Sequence, residues 1–363
     1  SAAKNVLTQT LKGKSWSADN GNGTFTNPLF YDEFSDPDII RVGEDYYLAG
    51  TTMHSVPGLV VLHSKDLVNW EFSSYCFDRF DDSDDFNLRN GKEAYGQGIW
   101  APAIRYYNGK FYIFSNINGH GLQVYISDSA KGPWTHHKVN GDIYDLSVLF
   151  DEDGKIYAVH KYGNVTVTEL KPDLSGPVEG SSKVVIPEGN AMGEGHHVYK
   201  INGMYYILSA DYSPMGRMQC ARSKSIWGPY ETCVISERES YGYAAGWSVG
   251  NMGIGRPLPE DGFNFQNNKP NGLNLGCATI HQGGIVQAPD GKWWGVSMQD
   301  FNAVGRTVCL SPITWVDGWP YFGLEKNLGR SPRTWFKPND MVKTPKAPYD
   351  RCDDFSGKTF KPV

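Results

Sequence analysis

Nowhere among the 363 residues does an apolar run approach the roughly 20 residues that a membrane-spanning helix needs, which leaves the membrane out as a partner. Positive charge is also sparse. Lys and Arg total 34 against 40 Asp and Glu, the net charge is −6, and no basic run occurs, so nucleic acid is a poor partner. The six cysteines (Cys76, Cys220, Cys233, Cys277, Cys309, Cys352) contain no Cys-x-x-Cys pair, which argues against structural zinc. Cys220 and Cys233 flank the turn Ser225–Pro229, where either a cross-strand bridge or buried free thiols fit. Gly253-Ile254-Gly255 neither follows a strand nor opens a helix, so nucleotide binding is not indicated. Asn22-Gly23-Thr24 and Asn164-Val165-Thr166 fit the glycosylation sequon, a pattern common by chance. The opening Ser1-Ala2-Ala3-Lys4 lacks an initiator Met and a signal peptide, as a trimmed secreted chain would; the expectation is an extracellular or periplasmic protein.

Aromatic residues and glycine are abundant: 13% aromatic, with 11 Trp, 21 Tyr and 41 Gly. Aromatic strands joined by Gly-rich turns point to an all-β protein. A turn followed by an aromatic strand recurs five times, at Gly43–Tyr47, Asn108–Tyr112, Asp153–Tyr157, Asn202–Tyr206 and Asp290–Trp294. Asn-Gly and Asp-Gly between apolar runs are strong hairpin signals, because both turn positions need positive φ. The steps from Tyr112 to Tyr157 and from Tyr157 to Tyr206 match the roughly 40 to 50 residues of a four-stranded blade. The other two steps are longer, with insertions near Ser73–Glu93 and Ser236–Asn274. The spacing predicts a five-bladed β-propeller over residues 27–340, whose closure removes exposed sheet edges. Residues 1–26 read as an extension closing onto the ring. Residues 341–363 read as a tail, or the start of a truncated β-sandwich, on the strength of Asp353-Asp354-Phe355-Ser356.

The first strand of each blade lines a propeller's central channel. At nearly the same distance, ten to twelve residues, before the aligned strand positions Tyr46, Phe111, Ile156, Tyr205 and Trp293 stand Asp36, Trp100, Asp145, Glu194 and His281. Equal phase on equivalent strands brings these side chains out at one end of the channel. Asp36 before Pro37 also fits a turn cap, and Glu194 between two glycines fits a loop acid. Three acids at one phase of a repeat are far harder to obtain by accident. Clustered carboxylates repel and desolvate one another, which raises at least one pKa. Glycoside hydrolysis needs such a pair: a protonated acid at the leaving oxygen and a carboxylate on the opposite face of the sugar.

The strings Ser35-Asp36-Pro37-Asp38-Ile39-Ile40, Gly98-Ile99-Trp100-Ala101-Pro102, Asp145–Phe150 and Glu194-Gly195-His196-His197-Val198-Tyr199, with His281–Gln287 and Gly305-Arg306, resemble glycoside hydrolase family 43 in order over about residues 27–340. The resemblance implies an inverting hydrolase with Asp36 as general base, Glu194 as general acid and Asp145 as pKa modulator. Inversion needs water between base and sugar, hence a separation of roughly 6.5 to 9.5 Å between Asp36 and Glu194. It also implies that His197 supports the acid at the substrate site and that Arg306 contacts the terminal sugar. Trp100 either stacks on sugar or packs, and Trp247 joins the substrate residues from the second insertion. His281 resembles a histidine facing a hydrated calcium ion in the channel, the alternative being a satisfied core histidine. No organic cofactor is implied. Two residues depart from the family pattern: His196 replaces a common Pro, and Leu146 stands where Pro is usual.

The family leaves open β-xylosidase, α-L-arabinofuranosidase, a dual enzyme and endo-arabinanase. Gly305-Arg306 and Trp315–Pro320 resemble exo members, and the insertions carry Phe77, Phe80, Phe86, Tyr95, Tyr241, Tyr243 and Trp247, suited to walling a pocket. The expectation is release of terminal β-D-xylose or α-L-arabinofuranose from xylan and arabinoxylan oligosaccharides. The alternatives are an endo-α-1,5-L-arabinanase or a non-catalytic carbohydrate-binding propeller. A sucrose- or fructan-cleaving enzyme should carry Asn-Asp-Pro-Asn and Glu-Cys strings, which this chain lacks. Oligomeric state is left open.

Overall fold

The computed structural model describes residues 17–30, 34–51, 59–76, 101–117, 119–190, 192–212, 215–236, 282–300 and 306–338. Each predicted aromatic hairpin is the turn between the first two strands of a sheet. Blade 1 runs Ser35–Val42, Asp45–Thr51, Val60–Ser64, Glu71–Tyr75, and blade 2 runs Ala103–Tyr107, Lys110–Ile117, Gly121–Ser127, Thr135–Lys138. Blade 3 comprises Ser147–Phe150, Ile156–His160, Val165–Leu170 and Lys183–Ile186. Blade 4 comprises Glu194–Ile201, Met204–Tyr212, Met215–Ser223 and Glu231–Val234. Blade 5 runs Ile285–Gln287, Trp293–Asp300, Arg306–Val316, Trp319–Leu324 and adds Asn327–Leu328. Neighbouring strands within each blade are antiparallel. The five-bladed propeller read from the repeat is the observed fold.

The core lies between blades. Leu48, Tyr46, Trp70, Val286 and Trp294 join blades 1 and 5, while Val61, Ile113 and Tyr125 join blades 1 and 2. Phe114, Val124, Val148 and Ala158 fill the next seam, Val159, Val167, Ile207 and Ala221 the one after. Leu208, Met218, Ile285 and Phe322 complete the circle between blades 4 and 5. Both faces of every sheet are thus covered, and burying each such side chain stabilises by about 1.5–3 kcal/mol. In blades 1, 2 and 4 a turn that opens on a serine joins the two outer strands. Ser64 Oγ accepts from Leu67 N–H at 2.9 Å, and Ser127 and Ser223 accept from Ser129 and Ser225 at 3.1 Å.

Strand Thr24–Thr26 pairs antiparallel with Thr334–Phe336, beside blade 5. Asn27 extends this clasp: its Nδ2 donates to Leu310 O at 2.8 Å and its Oδ1 accepts from Leu310 N–H at 2.9 Å. Cys220 and Cys233 face each other in register but are free thiols, as are Cys76 and Cys309. Both insertions lie almost wholly outside the described residues, as do residues 341–363.

Candidate active site

Asp36 and Asp145 stand where the channel-lining strands of blades 1 and 3 begin, and Glu194 opens that of blade 4. None of these starts is a regular strand. Asp36 and Asp145 have φ of 51° and 52°, rare for residues with a Cβ, and register shifts follow Ser35 and Glu194. Such bulges re-aim a side chain, and backbone strain of this kind collects at functional sites. Gly195 completes the pattern at φ 67°; a Cβ there would also stand 2.7 Å from Gln282 Cγ.

The acids are tied together by the backbone. Asp145 Oδ2 accepts the Gly195 N–H at 3.1 Å, so the blade 3 carboxylate holds the peptide that follows Glu194. Asn116, at the end of the second strand of blade 2, fixes Asp145 in turn. Its Oδ1 accepts from Asp145 N–H at 3.1 Å and its Nδ2 donates to Ile143 O at 2.9 Å. The Asp36 N–H points at Met298 Sδ, 3.5 Å away on blade 5. Tyr144, 50% exposed, stands among all three acids. Partial burial, then the negative fields of Asp145, Glu194 and Asp36, push its hydroxyl pKa upward. One phenol therefore senses the three carboxylates that equal phase brought to one end of the channel.

Below this layer the five blades are locked by a buried polar hub. Arg105 NH1 donates to Asp38 Oδ2 at 2.8 Å, Nε to Val148 O at 2.7 Å and NH2 to Ser147 Oγ at 2.9 Å. His197 Nδ1 donates to Asp38 Oδ1 at 3.0 Å, and Ile104 N–H adds a bond to Oδ2 at 2.8 Å. Tyr199 accepts from Ile285 N–H at 3.1 Å, which brings in blade 5. A Cβ on Gly284 would lie 2.5 Å from the Tyr199 hydroxyl, so only glycine lets the strands close this tightly. Burial raises the Asp38 pKa, but Arg105 and His197 outweigh it and the net shift is downward.

His197 was expected to support the acid at the substrate site. It is 7% exposed and bonds Asp38 in the hub. His196 is buried as well: its Nε2–H donates to Lys161 O at 2.6 Å, and the Ser209 hydroxyl reaches Nδ1 at 2.5 Å. A carbonyl only accepts, which fixes this neutral tautomer. Trp100, Trp247 and His281 lie outside the described residues, and of Arg306 only its place at the start of a blade 5 strand is described. Among the described residues no three His, Cys, Asp or Glu side chains converge as a metal site. The sequence reading missed Asp38, Arg105, Asn116 and Tyr144. The flanks of two motifs held a signal for Asp38 and Tyr144: Asp38 follows Asp36 by two positions, and Tyr144 precedes Asp145. A separate cavity of about 520 Å³, lined by Trp293, Trp294, Trp315 and Trp335, sits at the hairpin end of blade 5, away from the acids.

The profile of glycosyl hydrolases family 43 matches residues 25–242. A putative β-xylosidase of Xylanibacter ruminicola is 32% identical over 94% of this chain and 58% of its own length. A non-reducing-end α-L-arabinofuranosidase of Bacteroides ovatus is 33% identical over 87% of this chain and 56% of its own. Among solved structures, a bifunctional GH43-CE protein from Bacteroides eggerthii superposes with a TM-score of 0.70 at 33% identity, covering 85% of this chain and 36% of that one. The chain thus spans little more than half the length of the curated relatives it matches.

Proposed function

The chain belongs to glycosyl hydrolases family 43, and from that premise we propose an exo-acting, inverting glycosidase that releases terminal β-D-xylose or α-L-arabinofuranose from xylan and arabinoxylan oligosaccharides. The observation that carries the chemistry is the bond from Gly195 N–H to Asp145, which couples two acids through the backbone beside the third. Glu194 gives its proton to the glycosidic oxygen as the bond to the anomeric carbon breaks. Asp36 takes a proton from the water that attacks that carbon from the opposite face, and the configuration inverts. The negative charge of Asp145 disfavours ionisation of Glu194 and keeps the acid loaded between turnovers. Tyr144 borders the bound sugar, and Trp100, Trp247 and Arg306 complete its pocket. Exo action is supported by relatives described as a β-xylosidase and a non-reducing-end α-L-arabinofuranosidase.

The proposal places a hydrated calcium ion beside His281, tested by whether chelation lowers the melting temperature. It also places the enzyme outside the cytoplasm, where xylan and arabinoxylan are broken down to oligosaccharides; fractionation checks this. The central test is release of 4-nitrophenol from the β-xyloside and the α-L-arabinofuranoside by wild type, Glu194→Ala and Asp36→Ala. Activity on either glycoside that collapses in Asp36→Ala supports the reading. Wild type inert on both yet active on linear arabinan would make it endo-acting, and binding without cleavage that survives Glu194→Ala would make it a lectin-like propeller.

A further inference from the structure

The turn Lys161–Asn164 of blade 3 carries Tyr162, whose 59% exposure is the highest among the described exposed large hydrophobic residues. Strand Ile156–His160 runs antiparallel to Ser147–Phe150, with Val159 opposite Ser147, so the turn returns to the end of the channel where Asp145 stands. It is fastened there on both sides of Glu194. Gly163 N–H donates to Gly193 O at 3.1 Å, and His196 Nε2–H donates to Lys161 O at 2.6 Å. Within the turn, Asn164 N–H meets Tyr162 O at 2.8 Å and Asn164 Oδ1 accepts from Glu188 N–H at 2.9 Å. Lys161 itself sits at φ 74°, a conformation the clamp enforces.

A general acid must lie beside the leaving oxygen, so the sugar being expelled occupies the Glu194 edge of the site. The turn borders that edge. An aromatic ring held on a rigid turn offers a sugar face a broad apolar surface at little entropic cost. We propose that Tyr162 is the platform for the sugar on the leaving-group side, and that His196 is the positioning residue that fastens it there. The assignment rests on the roles given above to Glu194 and Asp36. It is independent of which pentose occupies the inner pocket.

The test compares kcat/KM for xylobiose with that for β-D-xylosyl fluoride, and for an arabinofuranosyl oligosaccharide with that for α-L-arabinofuranosyl fluoride. The fluorides have no sugar on the leaving side. In Tyr162→Ala the ratio of oligosaccharide to fluoride falls about tenfold, and Tyr162→Trp restores it. His196→Ala lowers the same ratio, with circular dichroism confirming that both proteins are folded. A ratio within about twofold of wild type in a folded Tyr162→Ala enzyme overturns the platform while leaving the acid and base roles standing. Wild type inert on both fluorides and on both oligosaccharides removes those roles and the platform with them.

Discussion

Two carboxylates stand one proline apart at the start of blade 1, and the protein treats them oppositely. Asp38 is fully buried and ringed by donors from Arg105, His197 and two backbone N–H groups. Asp36 is half-buried in a layer of other acids, on a left-handed backbone. One layer uses its charge to hold five blades together; the other is the layer to which the proposal assigns the reaction. Proximity in sequence says little about the task of an acid when a bulge lies between two residues.

The comparison is broken most sharply by removing an acid from each layer. Glu194→Ala should lower turnover of xylobiose by roughly 10² to 10⁴-fold with an almost unchanged melting temperature. The loss should be smaller on aryl glycosides, whose leaving groups need less protonation. Arg105→Met should instead destabilise by about 3–5 kcal/mol in chemical denaturation, because the buried Asp38 charge loses its guanidinium partner and keeps only the donors from His197 and two backbone N–H groups. If Arg105→Met melted like wild type, the hub would not be what joins the blades. Asn116→Ala sits between the two extremes, since it loses hydrogen bonds that orient Asp145. It should cost about 1 kcal/mol of stability and roughly tenfold in kcat, seen as a loss in both assays.

The smallest effect is in pH. Burial, with Lys161 and His196 adding to it, lowers the His160 pKa from 6.5 to about 4, and burial lowers that of His196 too. Below pH 6.5 the unfolded chain takes up protons that these native imidazoles refuse, so stability falls from there toward pH 4. Asp38, whose folded pKa is depressed, contributes stability above its unfolded value, about 3.9, and loses it as pH falls further. A melting series in which His160→Gln flattens only the upper part would separate the two; no change in that part would refute the histidine contribution.

The five hairpins were legible because Asn-Gly and Asp-Gly turns announce themselves locally, and the repeat gave Asp36, Asp145 and Glu194 a common phase, which is why they carry the proposal. Arg105 and Asp38 were not, since they meet across 67 positions of sequence with no spacing to betray it. Asn116 was hidden for the same reason: its bonds to Asp145 and Ile143 depend on two blades being side by side. Nothing in the departure at His196 betrayed its partners, Ser209 and Lys161, which lie on the second strand of its own blade and on a turn of the preceding one.

The clasp also determines how the ring yields to force. Thr24 lies opposite Phe336 and Thr26 opposite Thr334, so both chain ends leave the strand pair at the same end. Tension between them unzips the pair one rung at a time, starting with the bond from Lys337 N–H to Gly23 O, and never loads the rungs in parallel as shear would. After the third rung, bonds from Asn27 to Arg333, Pro332 and Leu310, and from Leu29 N–H to Val308 O, still bridge the seam. A tether pulling on the two ends should open this seam at low load, while the same tether attached across blades 2 and 4 meets the Arg105 hub first.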